Sequence, residues 1–238
     1  MALPMNRSAD VATSLLASAA RLGAGLIADA PGPARKRPEK LLELYELEAC
    51  PFCRKVREGL SNLDLDAKVF PCTRGSRYRA VVEKLGGKEQ FPFLVDPNTG
   101  TSMYESSDIL RYLATTYGEG KVALLLSLGP LTTVSSALAS AARPGKGRKA
   151  RPARAPEKPL ELWSFEASPY CRIAREALSE LQIPYVVHNV AKRSAARAAF
   201  QERSGRMMVP WLVDPNTGVS MFESADIVAY LHKTYGME

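Results

Sequence analysis

The sequence predicts an α/β protein built from two tandem modules, each with the element order β-α-β-α-β-β-α. The first observation is an internal repeat: Leu-Val-Asp-Pro-Asn-Thr-Gly occupies residues 94–100 and recurs at residues 212–218, an offset of 118. The repeat aligns residues 38–118 with residues 156–236 without a gap, and about half of the paired residues are identical. The second observation is the alternation of strand-like and helix-like patterns within each copy. Both copies should therefore adopt one fold.

The pattern of the first copy predicts each element in turn. Residues 41–47 alternate in polarity after a proline-rich connector, which is typical of a strand, and residues 160–165 are the counterpart. Phe52, Val56 and Leu60 have helical spacing within residues 52–62, with charged side chains on the opposite face. The remaining elements are a strand at 67–70, a helix at 76–85, strands at 93–96 and 102–104 around a Pro-Asn-Thr-Gly turn, and a helix at 105–117 ended by Gly118.

The repeat also extends upstream of each module. Leu-Ala-Ser-Ala-Ala-Arg occurs at residues 16–21 and again at residues 138–143. Each unit is therefore predicted to be a short apolar helix, a basic proline-rich connector and a module. The predicted segments are an N-terminal helix and connector at 1–40, the first module at 41–118, an inter-module helix and basic linker at 119–159, and the second module at 160–238.

The charge and hydropathy patterns are most informative for the segments outside the modules. The net charge is +7, and much of the excess lies in residues 34–40 and 143–158, which are predicted to be solvated linkers, with no nucleic-acid partner expected. Residues 122–142 carry no charge and are long enough to span a membrane. Gly129-Pro130 and six Ser or Thr residues favour instead a broken amphipathic helix packed on a module, with membrane contact as the alternative. The N-terminus is not a typical signal peptide.

The four cysteines point to redox chemistry more than to a disulfide framework. Cys50 and Cys53 form a Cys-Pro-Phe-Cys motif, and the second copy has Ser-Pro-Tyr-Cys at Ser168 to Cys171. Such a dithiol indicates a reducing compartment, and we expect a cytoplasmic protein. The chain does not complete a metal-ligand spacing, so no metal is expected. Cys50 should lie at a helix N-terminus, where free N–H groups favour the thiolate.

These residues resemble the glutaredoxins and the N-terminal domain of glutathione transferases, which have the thioredoxin fold. The resemblance covers both modules, about two thirds of the chain. It rests on the Cys-x-x-Cys motif, on a proline just before a strand, and on Glu-Ser opening a final helix with Ile three residues after the Ser. These features stand in the same order in both copies, except that the second has Ser168 for the first cysteine.

The resemblance implies a glutathione site in each module. Pro92 and Pro210 match the family's cis-proline, which presents the backbone of Phe91 or Val209 to the glutathione cysteinyl group. Glu105-Ser106 and Glu223-Ser224 match the residues that hold the γ-glutamyl end, although they alternatively cap the helix. Lys88 and Arg206 are candidates for the glycyl carboxylate, or are exposed charges.

Two features depart from the family. Glu46 and Glu48 stand where glutaredoxins usually carry a lysine, which does not favour a thiolate. The all-helical domain that builds the electrophile pocket of a glutathione transferase is also missing, unless the second module or a partner supplies that pocket.

The predicted function is a glutathione-dependent thiol–disulfide oxidoreductase acting on glutathionylated or disulfide substrates. Cys50 is the predicted nucleophile and Cys53 the resolving thiol, or else a buried packing residue. The second module is expected to bind glutathione or to be structural, or Ser168 supports transferase activity. The alternatives are a non-catalytic glutathione-binding scaffold and an iron–sulfur cluster carrier. The sequence does not indicate the oligomeric state.

Overall fold

A computed structural model of the chain describes residues 7–30 and 32–237. The ends of the predicted segments 1–40 and 160–238 thus lie partly outside the described residues. The strands are β1 Leu42–Glu46, β2 Ala67–Pro71, β3 Phe93–Asp96, β4 Thr101–Met103, β5 Leu160–Ser164, β6 Tyr185–Asn189, β7 Trp211–Asp214 and β8 Val219–Met221. The helices are α1 Arg7–Ala19, α2 Pro51–Asn62, α3 Arg79–Gly86, α4 Ser106–Tyr117, α5 Leu124–Ser127, α6 Pro130–Ala141, α7 Pro169–Glu180, α8 Arg197–Ser204 and α9 Ser224–Tyr235.

Both modules have the predicted β-α-β-α-β-β-α order, and together they form one eight-stranded sheet. The strand order is β4-β3-β1-β2-β6-β5-β7-β8. Within each module the first two strands are parallel and the last two are antiparallel, as the helical crossover and the tight turn require. The modules join through β2 and β6, which pair antiparallel with Ala67 opposite Val187. This junction leaves neither β2 nor β6 as a free sheet edge.

The helices α1 and α6, which precede the modules, are exchanged between them. The first unit's α1 packs on α7 of the second module, whereas α6 of the second unit packs on α2 of the first module. The contacts are equivalent: the Ser14 hydroxyl donates to the carbonyl of Pro169, and the Ser136 hydroxyl donates to the carbonyl of Pro51, each over 2.8 Å. Each module is therefore completed by the other unit's helix.

The uncharged stretch at 122–142 forms α5 and α6, interrupted at Gly129-Pro130. The prediction of a broken helix packed on a module is confirmed. The packed face is polar, because α6 buries Thr132 and Ser136, while Leu131 and Leu138 are exposed. None of the helices within residues 7–30 and 32–237 is long and apolar enough to cross a membrane.

Charged side chains are buried where the two modules meet. Arg54, Arg57 and Glu58 of α2 are each at most 5 % exposed, although the helical pattern put them on the face opposite the core. Phe52, assigned to the apolar face, is exposed instead. The solvated character predicted for residues 143–158 is also wrong in part, since Arg143 is buried and pairs with Glu176. A sequence pattern identifies one packed face of a helix, whereas α2 is covered on both faces.

The interface ion pairs follow the repeat. Arg57 of the first module contacts Glu166 of the second over 3.0 Å, and Arg175 of the second module contacts Glu48 of the first over the same distance. Arg57 also pairs with Glu46, whose position in the second module is Ser164. The side chains of Glu46 and Glu48 therefore both form ion pairs with arginines.

Candidate functional site

Cys50 immediately precedes α2. It is the N-cap, with extended backbone (φ −79°, ψ 125°), and Pro51 opens the helix without losing a hydrogen bond. The main-chain N–H of Cys53 donates to the Cys50 sulfur over 3.4 Å. Cys50 is partly exposed, and all four cysteines are free thiols. The predicted position of the thiol at a helix N-terminus is confirmed.

This environment favours the thiolate of Cys50. A hydrogen bond from the Cys53 side chain, with help from the N–H groups of Cys53 and Phe52, outweighs burial and lowers the pKa of Cys50 to about 7. The nearby Arg57 guanidinium acts in the same direction. Burial and the hydrogen bond to Cys50 raise the pKa of Cys53 well above its usual range. The two thiols thus have different protonation states near neutral pH.

A cleft of about 710 Å³ opens beside Cys50. One side is formed by the first module, including Phe52, Phe91 and Arg79, and the other by α6 and the residues that follow it. Arg79 lies 4.8 Å from the centroid of the Phe91 ring and donates to the carbonyl of Cys72. Arg79 was not among the residues predicted from the sequence. Its signal was the identical Arg197, which donates to the equivalent carbonyl of Val190.

The predicted cis-prolines are confirmed in both modules. The Phe91–Pro92 and Val209–Pro210 bonds are cis. Phe91 and Val209 make no main-chain hydrogen bonds to other residues within the described part of the chain. Buried or half-buried main-chain groups normally find a partner, so these free groups suit an extended ligand backbone. In the first module they lie at the cleft of Cys50, since Phe91 lines it.

Glu105 and Glu223 are the N-cap residues of α4 and α9, but their side chains do not cap these helices. Both have positive φ (66° and 65°), which is strained for a residue with a side chain, and neither side chain accepts a capping hydrogen bond. The alternative that these two side chains cap the helices is therefore wrong. Ser106 and Ser224 follow at the first helical position and are 5 % exposed. Each module thus presents an exposed carboxylate beside a helix N-terminus.

The surroundings of the two glutamates differ between the modules. The Gln90 amide donates to Glu105. In the second module the residue equivalent to Gln90 is Met208, and Glu223 instead pairs with Arg7 of α1 over 3.3 Å. The position equivalent to Arg7 in the second unit is Gly129, which has no side chain to offer Glu105.

Lys88 and Arg206 lie on aromatic rings. The Lys88 ammonium is 4.7 Å from the centroid of Tyr104, and the Arg206 guanidinium is 5.7 Å from that of Phe222. Both residues are exposed, and Lys88 does not line the cleft of Cys50. Arg79 is the basic residue of this module that does.

The second module repeats the geometry with a hydroxyl in place of the thiol. Ser168 is the N-cap of α7, and its oxygen accepts from the N–H of Cys171 over 3.3 Å. Ser168 is only 4 % exposed, and α1 lies over this end of the helix through the Ser14 and Ser18 hydroxyls. Among the described residues, His, Cys, Asp and Glu side chains do not form a cluster of three or more that suits a metal ion.

Fold and site together define a pair of thioredoxin-fold modules, one with a cysteine and one with a serine at the helix N-terminus. A family model described as glutathione S-transferase, N-terminal domain, matches residues 44–121 and 162–238. The chain belongs to this family and contains its domain twice. It does not match any curated protein. Among solved structures it is similar to Leishmania TDR1, a unique trimeric glutathione transferase, with 14 % identity and a TM-score of 0.30 over 83 % of this chain and 68 % of that one.

Proposed function

We propose that the protein is a glutathione-dependent thiol–disulfide oxidoreductase with Cys50 as its nucleophile. The observation that carries the proposal is the partly exposed Cys50 thiol, whose pKa is lowered to about 7 and which lines an open cleft. A thiolate attacks disulfides most effectively when its pKa is near the ambient pH. A dithiol that acts in its reduced form suits a reducing compartment, and we infer a cytoplasmic location.

The reaction proceeds by two thiol–disulfide exchanges. The Cys50 thiolate attacks the glutathione sulfur of a mixed disulfide, forming a Cys50–glutathione disulfide while the other half leaves as a thiolate and takes a proton from water. A second glutathione thiolate then attacks the glutathione sulfur on Cys50. This releases oxidised glutathione and restores the Cys50 thiolate. The net reaction consumes one glutathione thiol and converts the mixed disulfide into the free substrate thiol and oxidised glutathione.

The residues of the first module fit glutathione. The Glu105 carboxylate suits the γ-glutamyl ammonium, and the Ser106 hydroxyl with the N-terminus of α4 suits the adjoining carboxylate. The free main-chain groups of Phe91 suit the cysteinyl residue of the tripeptide. Arg79 is better placed than Lys88 for the glycyl carboxylate, because it lines the cleft.

The second module is assigned a structural role. Ser168 is buried under α1, and Glu223 is already paired with Arg7.

Substituting Glu105 by Gln should weaken glutathione binding about tenfold, because it removes one charge-assisted hydrogen bond to the ligand. The matched substitution Glu223→Gln should leave the affinity unchanged. Calorimetric titration of both variants makes the comparison, and an equal loss in the two would contradict the assignment.

Cys53 has two separable roles in this mechanism. Its side chain stabilises the Cys50 thiolate by a hydrogen bond, in addition to the bond from its main-chain N–H. We also assign its sulfur the role of resolving a disulfide on Cys50 when no glutathione is in place. The variant Cys53→Ala should raise the pKa of Cys50 toward the ordinary thiol value of about 8.5. Cys53→Ser retains a donor and should keep the pKa near that of the wild type. Thiolate absorbance at 240 nm measured against pH distinguishes them, and equal pKa values in both variants would refute the hydrogen-bonding role.

The overall test is deglutathionylation of the mixed disulfide of glutathione and 2-mercaptoethanol. Turnover is followed through NADPH oxidation by glutathione reductase. We expect turnover that requires both glutathione and Cys50. Tight glutathione binding without turnover would instead indicate a glutathione-binding scaffold.

A further inference from the structure

The far wall of the Cys50 cleft belongs to the second unit of the repeat. Seven residues of α6 and the linker after it line the cleft opposite the first module: Ala137, Ser140, Ala141, Arg143, Pro144, Gly145 and Arg148. All but the two arginines have small or compact side chains, which keeps the cleft open. The glutathione residues proposed above, Phe91 and Arg79, lie on the opposite wall. The far wall thus holds none of the residues proposed to bind glutathione.

The charged residues that line the cleft are all cationic. Arg79, Arg143 and Arg148 line it, and none of its lining residues is acidic. Arg79 pairs with Glu89 over 2.7 Å, and Arg143 pairs with Glu176. Arg148 is exposed, and its side chain has neither an ion pair nor a hydrogen bond within the described part of the chain. The unneutralised charge of the cleft is therefore on Arg148.

The repeat shows that this charge is specific to the module with the nucleophilic thiol. In the first unit the position equivalent to Arg148 is Leu26, and the position equivalent to Pro144 is Leu22. Those residues follow α1, the helix that lies over Ser168. The cation is therefore present beside the cysteine and replaced by an apolar residue beside the serine.

From this we infer that the α6 wall with Arg148 binds the non-glutathione half of the substrate and selects a half that carries a carboxylate. The inference rests on the proposed function, since it assigns the second subsite of the same cleft. A guanidinium forms charge-assisted hydrogen bonds with a carboxylate. The substrate class is thus a mixed disulfide of glutathione with a small anionic thiol.

The test compares two mixed disulfides that differ in one group. One joins glutathione to 2-mercaptoethanol and the other joins it to 3-mercaptopropionate. We expect Arg148→Gln to raise KM for the carboxylate substrate about tenfold, the loss of one charged hydrogen bond, and to change KM for the neutral one less than about twofold. Lys149→Gln is the matched control, because it removes the same charge from the next residue, which does not line the cleft. Equal changes for both substrates, or the same effect from Lys149→Gln, would overturn the inference.

A binding measurement separates this inference from the proposed function. The thioethers S-(2-carboxyethyl)glutathione and S-(2-hydroxyethyl)glutathione cannot undergo exchange. Titration should show tighter binding of the carboxyethyl compound to the wild type, and Arg148→Gln should abolish that difference. Failure of turnover with both disulfides would refute the oxidoreductase alone, whereas equal affinity of the two thioethers for the wild type would refute the anionic subsite alone.

Discussion

Replacing Cys50 with Ser is expected to lower kcat/KM for deglutathionylation by at least about 10³-fold, because a hydroxyl at neutral pH is neither ionised nor able to form a disulfide. The glutathione-binding residues remain, so the affinity for glutathione should change little. Substituting Ser168 by Ala should leave turnover unchanged. Assays coupled to glutathione reductase measure kcat/KM for the wild type, Cys50→Ser and Ser168→Ala.

The duplication provides a sharper control. The double variant Cys50→Ser with Ser168→Cys moves the thiol to the equivalent position of the second module. We expect it to remain inactive, because residue 168 is only 4 % exposed beneath α1 and Arg7 pairs with Glu223. Recovery of activity in the double variant would show that the second module is competent and that only its thiol is missing.

The pH dependence of the reaction should report the environment of Cys50. The pKa of Cys50 is lowered to about 7, so the thiolate fraction, and with it the rate of attack, should rise with pH and reach half of its maximum near pH 7. The stopped-flow rate of a single attack on the mixed disulfide measures it. A midpoint near the ordinary thiol value of about 8.5 would contradict the stabilisation by Cys53.

The sequence predicts the local parts of this site and misses the parts made by distant segments. The Cys50 cap follows from Pro51 and the helical pattern after it, and the cis conformation at Pro92 follows from the family resemblance. The buried Arg57 and the wall with Arg148 were not predicted. Their environment depends on the exchange of α1 and α6 and on the pairing of β2 with β6, and nothing in the periodicity of one segment specifies its distant partner.

The same limit explains why Glu46 and Glu48 looked unfavourable for a thiolate. The helical pattern placed Arg57 on the solvent face of α2, away from these two acids. In the fold, Arg57 contacts both Glu46 and Glu48, and Arg175 of the second module also contacts Glu48. Arg57 itself lowers the pKa of Cys50.

This interface predicts the largest effect on stability. Substituting Glu166 by Gln should lower the free energy of unfolding by about 3–5 kcal/mol, because it leaves Arg57 and Arg175 buried with one carboxylate fewer. Burial opposes ionisation of Glu166, but Arg175 and Arg57 outweigh it and lower its pKa to about 2. Urea unfolding followed by circular dichroism at pH 7 measures the change.

Glu46→Gln is the matched control within the same cluster. Burial raises the pKa of Glu46 to about 7 in spite of Arg57, so this carboxyl is partly protonated at neutral pH, and its neutral amide isostere should cost less than about 1 kcal/mol. Equal losses of unfolding free energy in the two variants would contradict the conclusion that Glu166 is ionised and Glu46 is partly protonated at neutral pH.

The two carboxyls should also give the wild type opposite dependences on pH. The pKa of Glu166 is lower in the folded state than in the unfolded chain, so its contribution to stability is present above about pH 4.3 and is lost as the pH falls toward 2. The pKa of Glu46 is higher in the folded state, so its contribution is present below about pH 4.3 and is lost as the pH rises through 7. Glu166→Gln should therefore flatten the acid side of the stability profile, and Glu46→Gln should flatten the decline in stability toward pH 7.

Both residues lie where the modules meet, so the urea unfolding curves of the two variants also report whether the modules unfold together. We expect a single transition in both variants. Two separate transitions would mean that the shared sheet does not couple the modules.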